Sequence, residues 1–309
     1  MLQNSKTVKG VTMLRLGLCC IFKKEPIRFR RTTAKYVSGL SENARLQFLS
    51  GICLYNAESL VSALHYCRDN GIGSFRINSQ ILPLKTHPEW GYRMENLPDA
   101  ELIISRFQEA GKFSRENNTR TTFHPDQFIV LSSPRPEVVE SAVRDLAYHA
   151  EVAEWVNADV INIHAGGAYH DKEKALNRFR EVFVTLPDAV RKRLTLENDD
   201  RLYSPKDLLP ICLEMKIPLV YDVHHHRCNP DGVSEEETTE LALHTWNREP
   251  LFHVSSPLNG WNGKNIRMHH NFIDPKDVPV SWLDLDITIE VEAKEKEIAV
   301  LQLKQDLGQ

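Results

Sequence analysis

Short apolar segments rich in β-branched residues alternate along the chain with longer stretches of helical, amphipathic periodicity. The short segments predict eight strands: Leu14–Cys20, Ser74–Asn78, Thr121–His124, Val160–His164, Leu194–Glu197, Leu219–Val223, Leu251–Ser255 and Ile287–Glu292. The longer stretches predict helices over Ala57–Asn70, Asp99–Asn117, Pro136–Asn157, Lys172–Lys192, Pro205–Met215 and Glu235–Trp246. Strands that alternate with helices in this way run parallel, with the helices packed outside.

Eight such strands without a Gly-x-Gly-x-x-Gly turn favour a closed α/β barrel of the (β/α)8 or TIM type over an open dinucleotide-binding sheet. A length of 309 residues suits one barrel of this kind. We find no internal repeat, low-complexity tract or linker. The sequence therefore predicts one barrel domain over residues 13–309, preceded by a flexible extension over residues 1–12.

Composition and charge narrow the class of protein. With 41% hydrophobic and 26% charged residues the chain is typical of a soluble globular protein. Apolar runs are too short to span a membrane, and Met1–Gly10 has no signal-peptide pattern, so we expect a cytoplasmic protein. The six cysteines lack C-x-x-C spacing, which argues against a disulfide framework or a cysteine zinc site. A net charge of −4 argues against non-specific coating of nucleic acid.

Residue types that bind divalent metals end or follow the predicted strands from the third to the eighth. They are His124, His164, Glu197, Asp222, His225, His253, His269 and Glu292. One histidine at a strand end is more often a hydrogen-bonded rim residue, but repetition over successive strands predicts a metal site. The carboxyl ends of barrel strands converge on one mouth, where such residues meet. Three carboxylates with several histidines suffice for two or three ions of Mn²⁺, Zn²⁺ or Fe²⁺.

Two details of this ligand set stay open. Glu290 shares a strand face with Glu292 and would point deeper into the barrel, so it is the alternative ligand from the eighth strand. In the triplet His224–His226 an extended chain would alternate side-chain directions, so the three rings would not all face one site.

The segment Cys20–Arg45 after the first strand is strongly basic. It holds seven lysines and arginines against two glutamates, among them Lys23, Lys24, Arg30 and Arg31. A loop in this place opens on the catalytic face of a barrel, where it can meet phosphates. Phe22 and Phe29, interleaved with the charges, are predicted to stack on bases. A solvated basic loop is the alternative.

The chain from Leu14 onward resembles the UV damage endonuclease family, which is related to the endonuclease IV group of TIM-barrel apurinic-site endonucleases. The resemblance rests on the order and spacing of several motifs. They include Phe75-Arg76-Ile-Asn-Ser79, His87-Pro88, His124-Pro-Asp-Gln127-Phe128, Asn162-Ile-His164-Ala-Gly-Gly167, Leu196-Glu197-Asn198-Asp199, Tyr221-Asp222-Val-His-His225, His253-Val-Ser-Ser-Pro257 and Val291-Glu292-Ala-Lys294.

The resemblance implies a cluster of two or three Mn²⁺ ions, with Zn²⁺ or another divalent metal as alternatives. One ion would be held by His124, His164, Glu197 and Glu292, a second by Glu197, Asp222, His253 and Glu292, and a third by His225 and His269. Glu197 and Glu292 would be catalytic as well as ligating, with His87 as a further active-site residue. Lys294 and Arg76 are candidates to neutralise the phosphate.

The family resemblance also implies the reaction. The expected enzyme nicks damaged double-stranded DNA immediately 5′ of UV photoproducts, and possible substrates extend to abasic sites, leaving a 3′-hydroxyl and a 5′-phosphate. Gln127 and Phe128 fall where the family inserts two residues into the duplex, as an apolar wedge can. We expect a monomer that associates with the nucleoid during repair and needs neither a membrane nor an obligate protein partner.

Three positions depart from the family pattern. Leu18 stands where the family usually has Tyr, Leu251 where it usually has Lys, and Arg267 where the endonuclease IV group has a carboxylate.

Three other functions remain open from the sequence. They are an apurinic-site endonuclease without photoproduct preference, a metal-dependent sugar isomerase or epimerase, and a non-catalytic protein that binds damaged DNA.

Overall fold

Eight parallel strands close into a barrel in the computed structural model, which describes residues 14–309. Each strand pairs with its sequence neighbours, and β1 closes the ring with β8. The strands are β1 (Arg15–Cys19), β2 (Ser74–Ile77), β3 (Arg120–Phe123), β4 (Val160–His164), β5 (Leu194–Glu197), β6 (Leu219–Asp222), β7 (Leu251–Val254) and β8 (Thr288–Val291). The predicted (β/α)8 barrel is confirmed, whereas the predicted extension over residues 1–12 lies outside the described residues.

Helices connect the strands on the outside of the barrel. They are α1 (Ala34–Val37), α2 (Glu42–Asp69), α3 (Ala100–Glu116), α4 (Pro136–Val156), α5 (Lys172–Phe183), α6 (Asp188–Arg191), α7 (Pro205–Met215), α8 (Val223–Cys228), α9 (Glu235–Leu243) and α10 (Glu297–Asp306). Short 3₁₀ turns cover Met94–Asn96, Pro275–Asp277 and Val280–Trp282. None of the helices in the described part of the chain has both the length and the apolarity needed to cross a membrane.

Besides α1 and α8, which were not predicted, the helices differ from the sequence prediction in three places. Helix α2 begins at Glu42 rather than Ala57, because the Ser41 side chain caps it by accepting from the Ala44 amide. The predicted helix Lys172–Lys192 is two helices, and Pro187, which has no amide hydrogen to donate, stands immediately before α6. Helix α10 was not predicted; it buries Ala299, Val300 and Leu303 against the barrel.

The histidine triplet is helical rather than extended. Asp222, the last residue of β6, caps α8 by accepting a hydrogen bond from the His225 amide. Successive side chains therefore turn around a helix, and the predicted alternation was wrong. His226 turns away from the barrel mouth to Tyr221 and Asp231.

The interior of the barrel is polar above a small apolar base. Val160, Val220 and Leu251 form that base, with Trp246 packed against it. Higher up, Arg76 and Glu290 are both buried inside the ring of strands. Gly17 on β1 makes room for Glu290, because a Cβ there would lie 3.3 Å from Glu290 Cγ. Leu251 thus belongs to the layer below the candidate ligands.

Candidate metal centre

Six of the predicted ligands come together where the strands end. His124 follows β3, His164 ends β4, and Glu197 ends β5. Asp222 ends β6, and His253 lies on β7. Two groups among the described residues have ligand atoms that all lie within 4.8 Å of one another: His124 with His164 and Glu197, and Glu197 with Asp222 and His253. Glu292, from the strand end next to these, lies beside them.

Glu197 joins the two groups. Its Oε2 lies 2.9 Å from His124 Nε2 and 3.8 Å from His164 Nε2. Its Oε1 lies 3.2 Å from His253 Nδ1 and 3.3 Å from His225 Nδ1. One carboxylate oxygen therefore faces each group, as in a carboxylate that bridges two ions. Asn162 fixes this orientation by donating from Nδ2 to Glu197 Oε2 at 2.5 Å.

Buried polar atoms in the second group fit a divalent cation. Asp222 Oδ2 and His253 Nδ1 are both buried without a hydrogen-bond partner among the described residues, and they lie 4.0 Å apart. Leaving such atoms unpaired is costly. Nitrogen and oxygen ligands lie about 2.0–2.2 Å from Zn²⁺, so this separation leaves space for an ion between the two atoms. The donor set of imidazole and carboxylate suits Mn²⁺, Zn²⁺ or Fe²⁺.

The electrostatics of the site couple the carboxylates to the histidines. Burial by itself raises the pKa of the Glu197 carboxyl, but His253, His164 and His124 outweigh it and hold that pKa well below its usual value. Burial lowers the pKa of His253, yet the carboxylates of Glu197 and Glu290 raise it well above 6.5. Glu197 is therefore ionised and ready to bind a cation, whereas protons compete with the cation for His253.

Glu292 and Glu290, both from the end of β8, lie at different depths in the barrel and make different contacts. Glu292 Oε1 lies 2.6 Å from an Arg76 amino group and 3.7 Å from His253 Nδ1, which puts Glu292 at the edge of the second group. Glu290 lies deeper, where Thr122 donates to it and His253 Nε2 lies 3.1 Å away. Burial raises the pKa of Glu290, but Arg76 and His253 outweigh it and lower the pKa to about 2. Glu290 thus orients His253 from behind.

The predicted third pair is less compact. His225 and His269 lie with ring centroids 6.5 Å apart, and His225 Nδ1 faces the Asn198 carbonyl oxygen at 3.0 Å. If Nδ1 donates there, Nε2 is the ring atom left to ligate. His269 Nδ1 lies 3.7 Å from Glu292 Oε2. Within residues 14–309 no third carboxylate or histidine completes this pair at ligand spacing, so a third ion stays a prediction.

The sequence analysis did not assign the supporting roles of Asn162, Asn198 and Glu290, and it named Glu290 only as an alternative ligand. Asn162 and Glu290 contact the ligands Glu197 and His253, and Asn198 contacts His225 through its backbone. The signal that could have found them was strand alternation, since Asn162 and Glu290 each lie two residues before a ligand on the same inward face.

Gln127 and Phe128 project from the loop after β3. The Phe128 side chain is 75% exposed, although it is large and apolar. It lines a cavity of about 350 Å³ together with Asp126, Tyr148 and His87. His87 Nδ1 accepts from the Trp90 amide at 3.1 Å. The structure therefore places His87 beside the Phe128 loop.

The basic loop after β1 is fixed to the barrel while its charges face solvent. The buried Glu297 carboxylate accepts the backbone amides of Lys23 and Lys24, both at 2.7 Å. Asn56 accepts the Arg30 amide at 2.7 Å. The side chains of Lys23, Lys24, Arg30 and Arg31 are exposed.

Phe22 and Phe29 do not join those charges at the surface. Phe22 is only 5% exposed and stacks on Phe75 with a centroid distance of 5.8 Å, and Phe29 packs on the same ring. The prediction that these rings stack on bases was wrong, because they anchor the loop to the apolar outside of β2.

Lys294 and Arg267 lie at another side of the mouth. Both line a cavity of about 360 Å³ with Arg76, His269 and Glu292. Lys294 is exposed, and Arg267 pairs with Asp200 at 3.1 Å. Cationic side chains therefore stand directly beside the candidate metal ligands.

Comparison with known proteins identifies the family. The sequence profile described as "UV-endonuclease UvdE" matches residues 14–309. A relative named UV DNA damage endonuclease from Bacillus velezensis is 36% identical over 304 residues, which cover 94% of this chain and 91% of the relative. The chain belongs to the UV-endonuclease UvdE family. The resemblance that the motifs predicted is confirmed.

Solved structures agree with membership of the UvdE family. The crystal structure of SacUVDE superposes with a TM-score of 0.85 at 30% identity, covering 96% of this chain and 98% of that one. Endonuclease IV from Thermus thermophilus superposes with a TM-score of 0.59 at 14% identity, covering 95% and 97% of the two chains, which shows a shared fold alone.

Proposed function

We propose that this UvdE-family protein is a divalent-metal-dependent DNA repair endonuclease that nicks the strand immediately 5′ of UV photoproducts, leaving a 3′-hydroxyl and a 5′-phosphate. One observation carries the proposal: two histidine–carboxylate groups share Glu197 in a barrel mouth that cationic side chains line on one side. The relatives named UV DNA damage endonuclease support the choice of lesion. Its monomeric state and its place in the cytoplasm at the nucleoid stay predictions.

Two divalent ions, with Mn²⁺ proposed, would be held by His124, His164 and Glu197 and by Glu197, Asp222 and His253. When bound, they would supply Lewis acidity and an activated water for phosphodiester hydrolysis. Glu292 lies at the edge of the second group, within reach of the same ion. His225 and His269 are proposed as ligands of a third ion.

The protein's own cations bind and orient the scissile phosphate. Lys294 projects into the mouth, and Arg76 is held in place by its contacts with Glu290 and Glu292. A fixed cation stabilises charge that develops on the phosphate without reorganising during the reaction. The exposed charges of the loop after β1 extend this positive surface to neighbouring phosphates.

Lesion selection is assigned to the Gln127–Phe128 loop. An exposed aromatic ring can enter the base stack, and a damaged step costs less to open than an intact one. Leu18 is fully buried in the core, so it offers the lesion no contact in place of the family's tyrosine. We therefore propose that recognition depends on the Phe128 loop and extends to abasic sites. His87, beside Phe128, is proposed to contact the opened duplex.

The decisive experiment uses labelled duplexes with one site-specific cyclobutane dimer, one abasic site or no lesion, each with Mn²⁺ or EDTA. We expect a Mn²⁺-dependent nick directly 5′ of the dimer that is lost in Glu197→Gln. If only the abasic duplex is cut, the protein is an apurinic-site endonuclease without photoproduct preference. Binding of damaged DNA without a nick, insensitive to EDTA, would contradict catalysis, and if no duplex is bound or cut, sugar substrates become the alternative.

A further inference from the structure

The opposite end of the barrel, where the strands begin, carries a separate cavity of about 440 Å³. Its walls come from the starts of β1 and β3, from the turns that precede β4 and β5, and from the segment before β7. The proposed reaction at the mouth uses none of these residues.

The cavity has a marked excess of positive charge. Its cationic side chains are Arg15, Arg115, Arg120, Lys192, Arg193 and Arg248, and its carboxylates are Glu154, Asp159 and Glu249. Six cations thus face three carboxylates in a protein whose net charge is −4. The thirteen residues before the described chain contain Lys6 and Lys9 but no acidic residue, so they bring no carboxylate to neutralise it.

The three carboxylates are already shared between cations. Asp159 lies 2.8 Å from Arg120 and 3.5 Å from Arg248. Glu249 lies 2.8 Å from Arg15 and 4.0 Å from Arg120. Glu154 serves Lys192 and Arg193 in the same way, at 2.9 Å each. Each carboxylate therefore serves two cations, and the excess charge has no counterpart within the cavity.

Arg248 is held only loosely by the carboxylates, through a 3.5 Å contact between its Nε and Asp159. Its Nε is buried and has no hydrogen-bond partner among the described residues. Its guanidinium stands over Trp246 at 5.4 Å, beside the end of the barrel interior. Burial, together with Arg120 and Arg193, lowers the pKa of Arg248. Arg120 and Arg193 are themselves held by backbone carbonyl oxygens of Glu249 and Ala158, so the cluster cannot spread apart.

We propose that this cavity binds a small phosphate-bearing anion, either inorganic phosphate or a nucleoside monophosphate. Arginine guanidinium groups match phosphate oxygens in geometry and charge, and an anion here would relieve the repulsion around Arg248. A cavity of about 440 Å³ has room for a molecule of this size. This site is independent of the endonuclease reaction at the mouth.

The test titrates the full-length, metal-free protein with sodium phosphate and with 5′-AMP by calorimetry, against sodium chloride at equal ionic strength. We expect one anion per chain. Affinity should fall at least about fivefold in Arg248→Gln and measurably in Arg115→Gln, because each removes a charge-assisted contact. Arg115 is an exposed rim residue, so its variant keeps the test decisive if Arg248→Gln misfolds. The matched control is Lys276→Gln, at an exposed lysine outside both cavities, which should bind phosphate like the wild type. Lys294→Gln tests whether the phosphate binds at the mouth instead.

Several results would overturn the proposal. One is the absence of saturable binding beyond the chloride control, and another is equal affinity in wild type, Arg248→Gln and Arg115→Gln. Loss of binding in Lys294→Gln would assign the phosphate to the mouth. Binding of a short single-stranded oligonucleotide, but of neither phosphate nor 5′-AMP, would make this a nucleic-acid contact. Saturable binding of phosphate, of 5′-AMP or of both would support the site. Tighter binding of 5′-AMP than of phosphate would identify the nucleotide as the ligand.

Discussion

The two ends of this barrel hold charged residues of opposite kinds. At the carboxyl ends of the strands, carboxylates and histidines converge, and buried atoms such as Asp222 Oδ2 lack a hydrogen-bond partner among the described residues. At the amino ends, arginines outnumber carboxylates, and most guanidinium groups are tied to carboxylates or backbone carbonyls. The first end is suited to cations and the second to anions.

The carboxylates and histidines at the carboxyl ends are suited to a reaction, whereas the arginines at the amino ends surround the starts of the strands and take no part in it. Metal catalysis requires oxygen and imidazole donors that converge on one point, and TIM barrels place such donors at the carboxyl ends of the strands. Arginines at the other end remain charged at any physiological pH, whereas the histidines of the mouth titrate. The two ends should therefore respond differently to substitution, metal and pH.

The largest expected difference concerns Glu197. Replacement by Gln removes the charge shared by both ligand groups, so we expect nicking of a dimer-containing duplex to fall more than about a thousandfold, since even a single stabilising contact is worth roughly 10²–10³. Single-turnover cleavage with Mn²⁺ measures this. The control Glu249→Gln, at the other end, should keep nearly full activity. Equal losses in both variants would erase the functional distinction between the two ends.

Removal of Arg76 should have the largest effect on stability. Arg76→Met leaves Glu290 and Glu292 without their shared cation, and breaking a buried pair in this way costs about 3–5 kcal/mol. Urea denaturation of the metal-free protein gives the free energy of unfolding. Arg15→Met breaks a pair whose Glu249 side chain is 29% exposed and should cost less than about 2 kcal/mol. A larger loss of unfolding free energy in Arg15→Met than in Arg76→Met would contradict this ranking of the two ion pairs.

Metal binding should depend on pH in a defined direction. Burial lowers the pKa of His225 and of His253, but nearby carboxylates raise both well above 6.5, which favours the protonated rings in the metal-free protein. Ligation needs the neutral ring, so Mn²⁺ should displace protons, and affinity should fall by up to about tenfold per proton for each pH unit below those pKa values.

Stability of the metal-free protein should show the opposite sign. A raised histidine pKa stabilises the fold fully below about pH 6.5, and this contribution is lost as pH rises through the folded pKa.

The prediction for metal binding is tested by calorimetry of Mn²⁺ binding in buffers of different ionisation enthalpy, which counts the displaced protons. If no protons are released at pH 7, the proposed protonation of His225 and His253 is wrong.

The smallest effect is expected at Phe128. Because the ring is 75% exposed, Phe128→Ala should change the free energy of unfolding by less than about 0.5 kcal/mol. Cleavage beside a dimer should fall about tenfold, within the ~1–3 kcal/mol of a lost stacking contact. Val280→Ala, another highly exposed apolar residue, is the matched control and should leave cleavage unchanged. Unaltered cleavage in Phe128→Ala would contradict the proposal that the Phe128 ring enters the base stack at the lesion.

The sequence alone determined the barrel and the kind of chemistry at its mouth. Alternation along a strand decides which residues face inward, and parallel strands bring their last inward residues to one ring. The sequence alone could therefore place His164, Glu197 and Asp222 together at the mouth of the barrel. Family motifs then indicated the reaction, because their order along the chain is a property of the sequence itself.

Only the tertiary structure decided which of those groups pair and which face solvent. Arg76 pairs with Glu290, a contact between residues far apart in the chain that no local pattern encodes. Phe22 sits between a cysteine-rich strand end and two lysines, yet it is buried, since the ring of Phe75 on the neighbouring strand receives it. The arginine cavity likewise exists because barrel closure brings the starts of distant strands together. Periodicity reports the direction of a side chain, but its partner depends on how the chain closes in space.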